Sequence, residues 1–185
     1  GVHLTDEIIE ASKKYCGAVA VSYSEDDDIW ITAIKRLIAG GVKTNIHFVV
    51  SEKTAQTAIN LLTDLEITPE LFGLQDLNAI IFLLHKPVGR GKHDDMLTTE
   101  TACNFFNHAF NSGITVGFDS CFVKHIKIAE ELEAIKDVPW ELLDSCESSR
   151  FSVYVNEDMT VKPCSFAYGE KYATSLNDAT FDERW

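Results

Sequence analysis

The sequence has 185 residues, of which 45% are hydrophobic and 24% are charged, a composition typical of a globular protein and unlike that of disordered or collagen-like chains. It contains 16 lysine and arginine residues against 29 aspartate and glutamate residues, and the net charge of -13 argues against nucleic acid as a partner because it repels a phosphate backbone. The longest apolar runs, such as residues 79–84, are far shorter than the roughly 20 residues that span a bilayer, so we expect no membrane partner.

The cysteine content and the start of the chain indicate a cellular compartment. Five cysteines are an odd number and are widely spaced, which does not fit a secreted disulfide framework. No export signal precedes the first predicted helix. We therefore expect a reducing, cytoplasmic environment. The first residue is Gly1 rather than methionine, which is what an excised piece of a longer protein would show.

The first 118 residues alternate between helical and extended patterns. Acidic residues after Thr5 predict a helix N-terminus, and the pair Gly40-Gly41 predicts a left-handed helix end. The predicted helices are 4–15, Trp30 to Gly40, 51–65 and 99–111, and the predicted strands are 18–23, 45–50, 78–85 and 114–118. Such alternation is typical of a parallel sheet with crossover helices. Four units make about half of a closed (β/α) barrel, so the edges of this sheet need another form of cover.

The pattern changes after Asp119. Apolar residues at helical spacing predict a helix over 124–136, which Pro139 ends. From Phe151 the alternation of apolar and polar residues, the polar turn at 156–158 and the run 160–162 predict a β-hairpin. We therefore expect two domains, with residues 1–120 forming the strand-helix units and residues 121–185 forming a smaller extension.

Three cysteines of the second half are the candidate metal ligands. Cys121 follows the last parallel strand, at the sheet edge where α/β folds build their sites. Cys146 precedes the hairpin and Cys164 follows it, and antiparallel strands about 5 Å apart bring the two close together. Thiolates select zinc or iron-sulfur centres. The alternative is that all three are buried and inert, as free cysteines often are; we expect this core role for Cys16 and Cys103.

Other candidate residues carry weaker signals. His125 follows Cys121 by one helical turn and is either a fourth ligand or a solvated surface residue. The loop 86–92 carries three positive charges between glycines, which suits an anion or carboxylate but also describes a flexible loop. Ser22 ends the first strand and is placed to hydrogen-bond a ligand. The acidic run 25–28 is interpreted as a solvated helix start. The sequence has no phosphate loop, nucleophile elbow or H-E-x-x-H motif, so hydrolases lose support.

Four segments together resemble one enzyme family. They are 19–22 (VAVS), 37–50 (LIAGGVKTNIHFVV), 85–91 (HKPVGRG), and the closing set of Cys146, hairpin, 161–164 (VKPC) and 181–185 (FDERW). This set is similar to the C-terminal part of a radical S-adenosylmethionine enzyme that carries the auxiliary-cluster extension called SPASM or twitch. The resemblance implies an α/β fold, namely a partial (β/α) barrel of about four strand-helix units followed by a small hairpin and helix extension.

The resemblance also implies site residues and cofactors. Cys121, Cys146 and Cys164 would ligate an auxiliary [4Fe-4S] cluster, with His125, Asp119 or a group outside this chain as the fourth ligand. Ser22, with Lys43 as a helper, would bind S-adenosylmethionine in the complete enzyme. The hairpin turn 156–159 (NEDM) departs from the family's usual Asp-Gly pair, and no extra cysteine run follows Cys164, so the resemblance is to the one-cluster, twitch-like variant.

Two functions follow as hypotheses. The first is the substrate- and auxiliary-cluster-binding portion of a radical S-adenosylmethionine enzyme, with a small molecule or a peptide or protein as substrate. This portion would be inactive alone because the sequence has no C-x-x-x-C-x-x-C segment, and it would need a missing N-terminal barrel segment as its partner. The alternative is a non-catalytic α/β binding module, with zinc or free thiols, that pairs with a second chain through its sheet edge.

Overall fold

A computed structural model describes residues 3–68, 73–89, 91–167 and 170–177 of the chain, which forms two compact units, Gly1–Asp144 and Ser145–Trp185. The division comes after Asp144; the change of pattern after Asp119 predicts a boundary between residues 119 and 145, and the predicted domain limit at residue 120 lies at the other end of that stretch. The reason is that Phe122, Ile126 and Ala129, which follow residue 120, are fully buried in the core of the first unit. Within the described ranges, every helix is too short or too polar to cross a membrane.

The first unit alternates strands and helices, as the sequence predicts. Its helices are α1 (Asp6–Tyr15), α2 (Ile29–Ala39), α3 (Ala55–Ile67), α4 (Thr99–Asn111) and α5 (Val123–Glu131), and its strands are β1 (Val19–Ser22), β2 (Thr44–Val50), β3 (Ala79–Leu84) and β4 (Val116–Phe118). The strands form one sheet in the order β1-β2-β3-β4, and every pair is parallel. The prediction of a parallel α/β sheet is confirmed.

Helix ends follow local side-chain and backbone chemistry. Thr5 caps α1 through its hydroxyl, which accepts the backbone N–H of Ile8 at 3.4 Å, and Gly41 after α2 has the predicted left-handed backbone with φ 77°. α3 begins at Ala55 rather than at residue 51, because Ser51 and Thr54 exchange hydrogen bonds at 2.9 and 3.2 Å in a separate turn.

α5 ends at Glu131 rather than at residue 136. The backbone of Glu133 is left-handed, with φ 57°, and the N–H of Ala134 donates to the carbonyl of Ala129 at 2.9 Å. This is the hydrogen bond that closes a Schellman-type helix end, a position where glycine is usual. The sequence has no glycine there, and the prediction therefore ran on to Pro139.

One face of the sheet packs against the helices. Alternate residues along each strand point to the same face, and the register places Phe48, Phe82 and Phe118 in one row. Phe82 meets Phe105 of α4 edge to face, with ring centroids 4.9 Å apart. The buried core therefore lies between the sheet and the helices α3, α4 and α5.

The opposite face of the sheet lies outside that core. Sequential strand order with right-handed connections puts the crossover helices on the same side, so the second side carries no helix between the strands among the residues that the structure describes. One row across this face consists of Ser22, His47, Ile81 and Gly117. Val49, which lies on the same face, is 50% exposed. Parallel sheets are usually covered on both faces, so this open face is the most unusual feature of the first unit.

The second unit is a small antiparallel sheet of β5 (Tyr154–Val155), β6 (Thr160–Lys162) and β7 (Thr174–Ser175), in that order. The predicted hairpin is confirmed. β5 begins at Tyr154 instead of residue 151, because the N–H groups of Arg150 and Phe151 donate back to the carbonyl of Glu147 in a turn. The strand β7 was missed, since two residues are too few to show an alternating pattern.

Candidate functional site

The two ends of the hairpin carry Cys146 and Cys164. The register pairs Tyr154 with Lys162, so the chain that precedes β5 and the chain that follows β6 leave the hairpin at the same end. The Ser148 hydroxyl donates to the carbonyl of Pro163 at 2.9 Å, which ties these two segments together within two residues of each cysteine. The structure thus brings the Cys146 and Cys164 segments side by side, as the sequence predicts.

The sulfur of Cys164 has a polar environment. The backbone N–H of Phe166 donates to its Sγ at 3.4 Å, and the N–H of Ala167 donates to the Cys164 carbonyl at 3.0 Å. A peptide N–H directed at sulfur stabilises negative charge there, and such bonds tune cluster-ligating thiolates. Cys164 is partly buried and Cys146 is exposed. Neither matches the alternative of an inert cysteine within an apolar core.

Cys121 belongs to the first unit. It lies in a single 3-10 turn, Ser120–Phe122, between β4 and α5, at the carboxyl end of the sheet. Phe122 anchors this turn in the core, while Cys121 itself is partly buried. Its role as a third ligand beside Cys146 and Cys164 stays a prediction.

His125 lies one helical turn after Cys121, on α5. Its ring is half-buried against Phe122, with centroids 6.4 Å apart, and its Nδ1 has no hydrogen-bond partner among the described residues. Burial lowers the pKa of His125 below its ordinary value of 6.5, the charge of Lys124 adds to this, and the backbone of Cys121 opposes the shift. The ring is therefore neutral at neutral pH, the state in which an imidazole can bind a metal.

Asp119 joins the carboxyl ends of β3 and β4. Its Oδ2 forms an ion pair with Lys86 and accepts the backbone N–H of Leu84 at 3.3 Å. Its Oδ1 is buried, and no group in the described ranges donates to it. Asp119 therefore has one oxygen engaged by Lys86 and Leu84 and one buried oxygen without a donor among the described residues.

The described residues of the loop after β3 include a tight turn. The N–H of Gly91 donates to the carbonyl of Val88 at 2.8 Å, and a Cβ on Gly91 would lie 2.2 Å from the Lys86 carbonyl oxygen, so this tight turn requires glycine. Arg90, which carries one of the three positive charges of the predicted anion site, lies outside the described residues. The same holds for residues 181–185 of the closing segment. Lys86 pairs with Asp119, which neutralises part of the charge that favoured an anion site.

The structure separates Ser22 from Lys43. Ser22 is the last residue of β1, at the carboxyl end of the sheet, whereas Lys43 precedes β2 at the amino end, where its carbonyl accepts the N–H of Val19 at 2.8 Å. Three residues of strand, about 10 Å, lie between these two levels of the sheet. Ser22 instead pairs in register with His47.

Sequence reasoning missed the polar residues of the open face. Asn45 and His47 point away from the helices, and the Asn78 amide donates to the Asn45 side-chain oxygen at 2.7 Å. The signal was present, because polar residues alternate with Ile46 and Phe48 along β2. It could be interpreted only once the neighbouring strands showed that this face has no helices.

The described residues contain no group of three or more histidine, cysteine, aspartate or glutamate side chains placed to hold a metal ion. Comparison with known proteins gives no assignment: no protein-family model, curated protein or solved structure matches the chain. The function therefore has to be argued from the site itself.

Proposed function

We propose that this chain is the substrate- and auxiliary-cluster-binding portion of a radical S-adenosylmethionine enzyme. One observation carries the proposal: Cys146 and Cys164 flank the open end of a hairpin in a unit whose described residues form almost no hydrophobic core. Val161 is the single fully buried hydrophobic residue among the described residues of this unit. The first unit, by contrast, buries a large set of aromatic and aliphatic side chains.

The second unit has the properties of a metal-dependent fold. Domains of about 40 residues or fewer usually need disulfides, metals or association to be stable. The cysteines of this unit are thiols, and many of its large apolar side chains are exposed. These exposed residues are Phe151, Val153, Tyr154, Val155, Met159, Phe166, Tyr172 and Leu176. A cluster that ties Cys146 to Cys164 supplies the cross-link that the packing does not.

The residues of the hairpin fit an iron-sulfur centre. Two thiols are held on adjacent segments by the bond from Ser148 to Pro163, and a peptide N–H is already directed at Cys164 Sγ. Cys121, which belongs to the first unit, stays the third ligand that the sequence predicts, with His125 and Asp119 as further donors, and the proposal is carried by the two cysteines of the second unit. When bound, a cluster of this kind offers an electron-transfer centre or an open iron for a substrate group.

The open sheet face supports the other half of the proposal. Four parallel strands in sequential order, with helices on one side only, are the arrangement of part of a (β/α) barrel, whose inner face and carboxyl strand ends carry the site. Ser22 and His47 lie on that face near these ends, where a hydroxyl and an imidazole can hydrogen-bond substrate or S-adenosylmethionine. Cleavage of S-adenosylmethionine is not assigned to this chain, because its sequence has no C-x-x-x-C-x-x-C segment.

Anaerobic reconstitution with iron and sulfide tests the cluster. We expect the protein to turn brown, with stoichiometric iron and sulfide after desalting. The variants C146A and C164A should lose most of this iron. C16A is the matched control and should retain the iron. The sequence predicted a core position for Cys16, which is wrong, because Cys16 is exposed at the end of α1.

Two results would contradict the assignment. Equal iron in C146A, C164A and C16A would show nonspecific uptake. A colourless protein that binds zinc through the same two cysteines would make the unit a structural zinc site and would favour the non-catalytic binding module.

The binding-module alternative has one observation of its own. β1 pairs with β2 on one side, and no described strand pairs with its other side. A sheet edge of this kind is a place where another chain can bind.

A further inference from the structure

A groove runs along the unpaired edge of β1. It has a volume of about 720 Å³, and all four residues of β1, Val19–Ser22, line it. On the helix side its walls are Leu4 and Ile8, from the start of α1, and Trp30 and Ala33 of α2. The groove therefore follows the strand for its whole length and is mainly apolar.

The edge of β1 presents backbone groups of its own. The N–H groups of Val19 and Tyr23 donate to β2 at 2.8 and 2.9 Å, to the carbonyls of Lys43 and His47. Successive residues of a strand direct their backbone groups to opposite sides, so Ala20 and Ser22 direct theirs into the groove. Both residues are exposed. These are the donors and acceptors that an added strand would use.

α1 lies in the position of a helix that would cover β1 and one further strand beside it. Ile9 packs with Leu37 of α2 and with Val42, so α1 lies beside α2 on the same face of the sheet. α2 lies above β1 and β2. Because packed helices lie about 8–10 Å apart, α1 lies above β1 and above the empty strand position beside it. The groove thus has the size and the apolar roof of a strand position.

The charges at one end of the groove define the occupant further. Ser24 and Asp27 line its end, where residues 25–28 contribute four consecutive carboxylates to a chain of net charge -13. An extended segment with lysine or arginine beside its apolar residues would complement this end. A second copy of this chain fits less well, because pairing of β1 with its symmetry mate would place two α1 helices above the same two strands, where there is room for one.

We infer that the β1 groove binds an extended, apolar segment of another protein that carries basic residues at one end and adds to the sheet as a fifth strand. The segment hydrogen-bonds Ala20 and Ser22 through its backbone, and its apolar side chains enter the space below Ile8 and Trp30. The inference concerns the first unit alone and is tested separately from the cluster proposed for the second unit. It belongs with the binding-module alternative, because the enzyme proposal places the missing N-terminal barrel segment beside β1.

The test is fluorescence anisotropy of a labelled short peptide, alternating valine and threonine and ending in two lysines, with the full chain. We expect saturable binding that weakens as salt is added. The variant Ala20→Pro removes one edge N–H but leaves the bonds of Val19 and Tyr23 to β2, so it should fold and bind at least about tenfold more weakly. Ala20→Val, which keeps the N–H, is the matched control and should bind like the original protein.

Three further measurements separate the outcomes. A peptide of the same sequence with alternate N-methylated amides should also bind at least about tenfold more weakly, because it loses backbone donors while its side chains stay the same. Ile8→Glu, on the exposed side of α1, should weaken binding if Ala20→Pro does not fold. The inference is overturned if the peptide does not bind or if the N-methylated peptide binds equally well. It is also overturned if sedimentation shows a dimer that Ala20→Pro abolishes, because the edge would then bind a second copy of the chain.

Discussion

Glu52 joins the end of β2 to the start of α4. Its carboxylate accepts the backbone N–H of Thr98 at 2.9 Å and the Thr101 hydroxyl at 2.7 Å. These hydrogen bonds, that from the Thr98 backbone first, lower the pKa of Glu52 below 4.5. A single side chain thus caps a helix that lies 46 residues further along the chain.

We predict that Glu52→Gln lowers the free energy of unfolding by about 1 kcal/mol at neutral pH, since a neutral amide accepts these hydrogen bonds more weakly. The folded-state pKa of Glu52 is lower than its unfolded value. Its contribution is therefore present above the ordinary value of 4.5 and is lost as the pH falls through the folded pKa. Urea denaturation of both proteins over acidic and neutral pH measures this.

The control for that experiment is Glu100→Gln, in the exposed first turn of α4, which should change stability by only a few tenths of a kcal/mol. If the difference in free energy of unfolding between Glu52→Gln and the original protein stays constant down to strongly acidic pH, the ionic role of Glu52 is contradicted.

At the scale of single residues, the sequence predicts those positions that follow from a local pattern. The hairpin pattern was enough to place the segment of Cys146 beside that of Cys164, because the pairing of two antiparallel strands follows from their alternation. The open-face residues Asn45 and His47, and the position of Lys43 at the far end of the sheet, depend on strand register. Register is a property of neighbouring strands, which a single segment does not contain.

α5 offers a prediction for a whole element. Glu133 has the left-handed backbone that ends this helix, and residues other than glycine are strained in that conformation. Glu133→Gly should therefore raise the free energy of unfolding by about 0.5–1 kcal/mol, after allowing for the greater freedom of glycine in the unfolded chain. Thermal and urea denaturation check the change.

A substitution of glutamate by glycine inside the helix should have the opposite effect on stability. Glu131→Gly, at the last helical residue of α5, should destabilise the protein by about 0.5–1 kcal/mol. Two glycine variants that shift stability in the same direction would show that the left-handed turn does not end the helix.

Element positions were predictable where hydrophobic periodicity ran for several turns or strand residues, as in α4 and β2. Element ends were less predictable. The start of α3 depends on hydroxyl bonds between Ser51 and Thr54, and the end of α5 on a turn made without glycine. Such ends are decided by a few hydrogen bonds, which a pattern of apolar residues does not record.

For the whole molecule, the two units should differ in stability. The first buries a continuous aromatic and aliphatic core, whereas the second buries Val161 and leaves Phe151 84% exposed. We predict that, without metal, backbone amides of β5 and β6 exchange with deuterium orders of magnitude faster than those of β2 and β3. Mass spectrometry of exchanged peptides measures this, and reconstitution with iron and sulfide should slow exchange in the second unit alone.

Equal protection of both units without metal would show that the second unit is stable by itself. That result would remove the main support for the cluster. At this scale the sequence predicted the change of character after Asp119 but not the position of the division, because only the packed structure shows that Phe122 and Ile126 complete the first core.

The strand order β1-β2-β3-β4 also affects how the chain is made. Each strand pairs with the one synthesised just before it, so every new strand leaves the ribosome when its partner is already present. No strand of this sheet has to wait for a distant segment, and the sheet can grow from β1 onward during translation. Addition of β2, β3 and β4 in this order leaves the other side of β1 without a partner among the described strands.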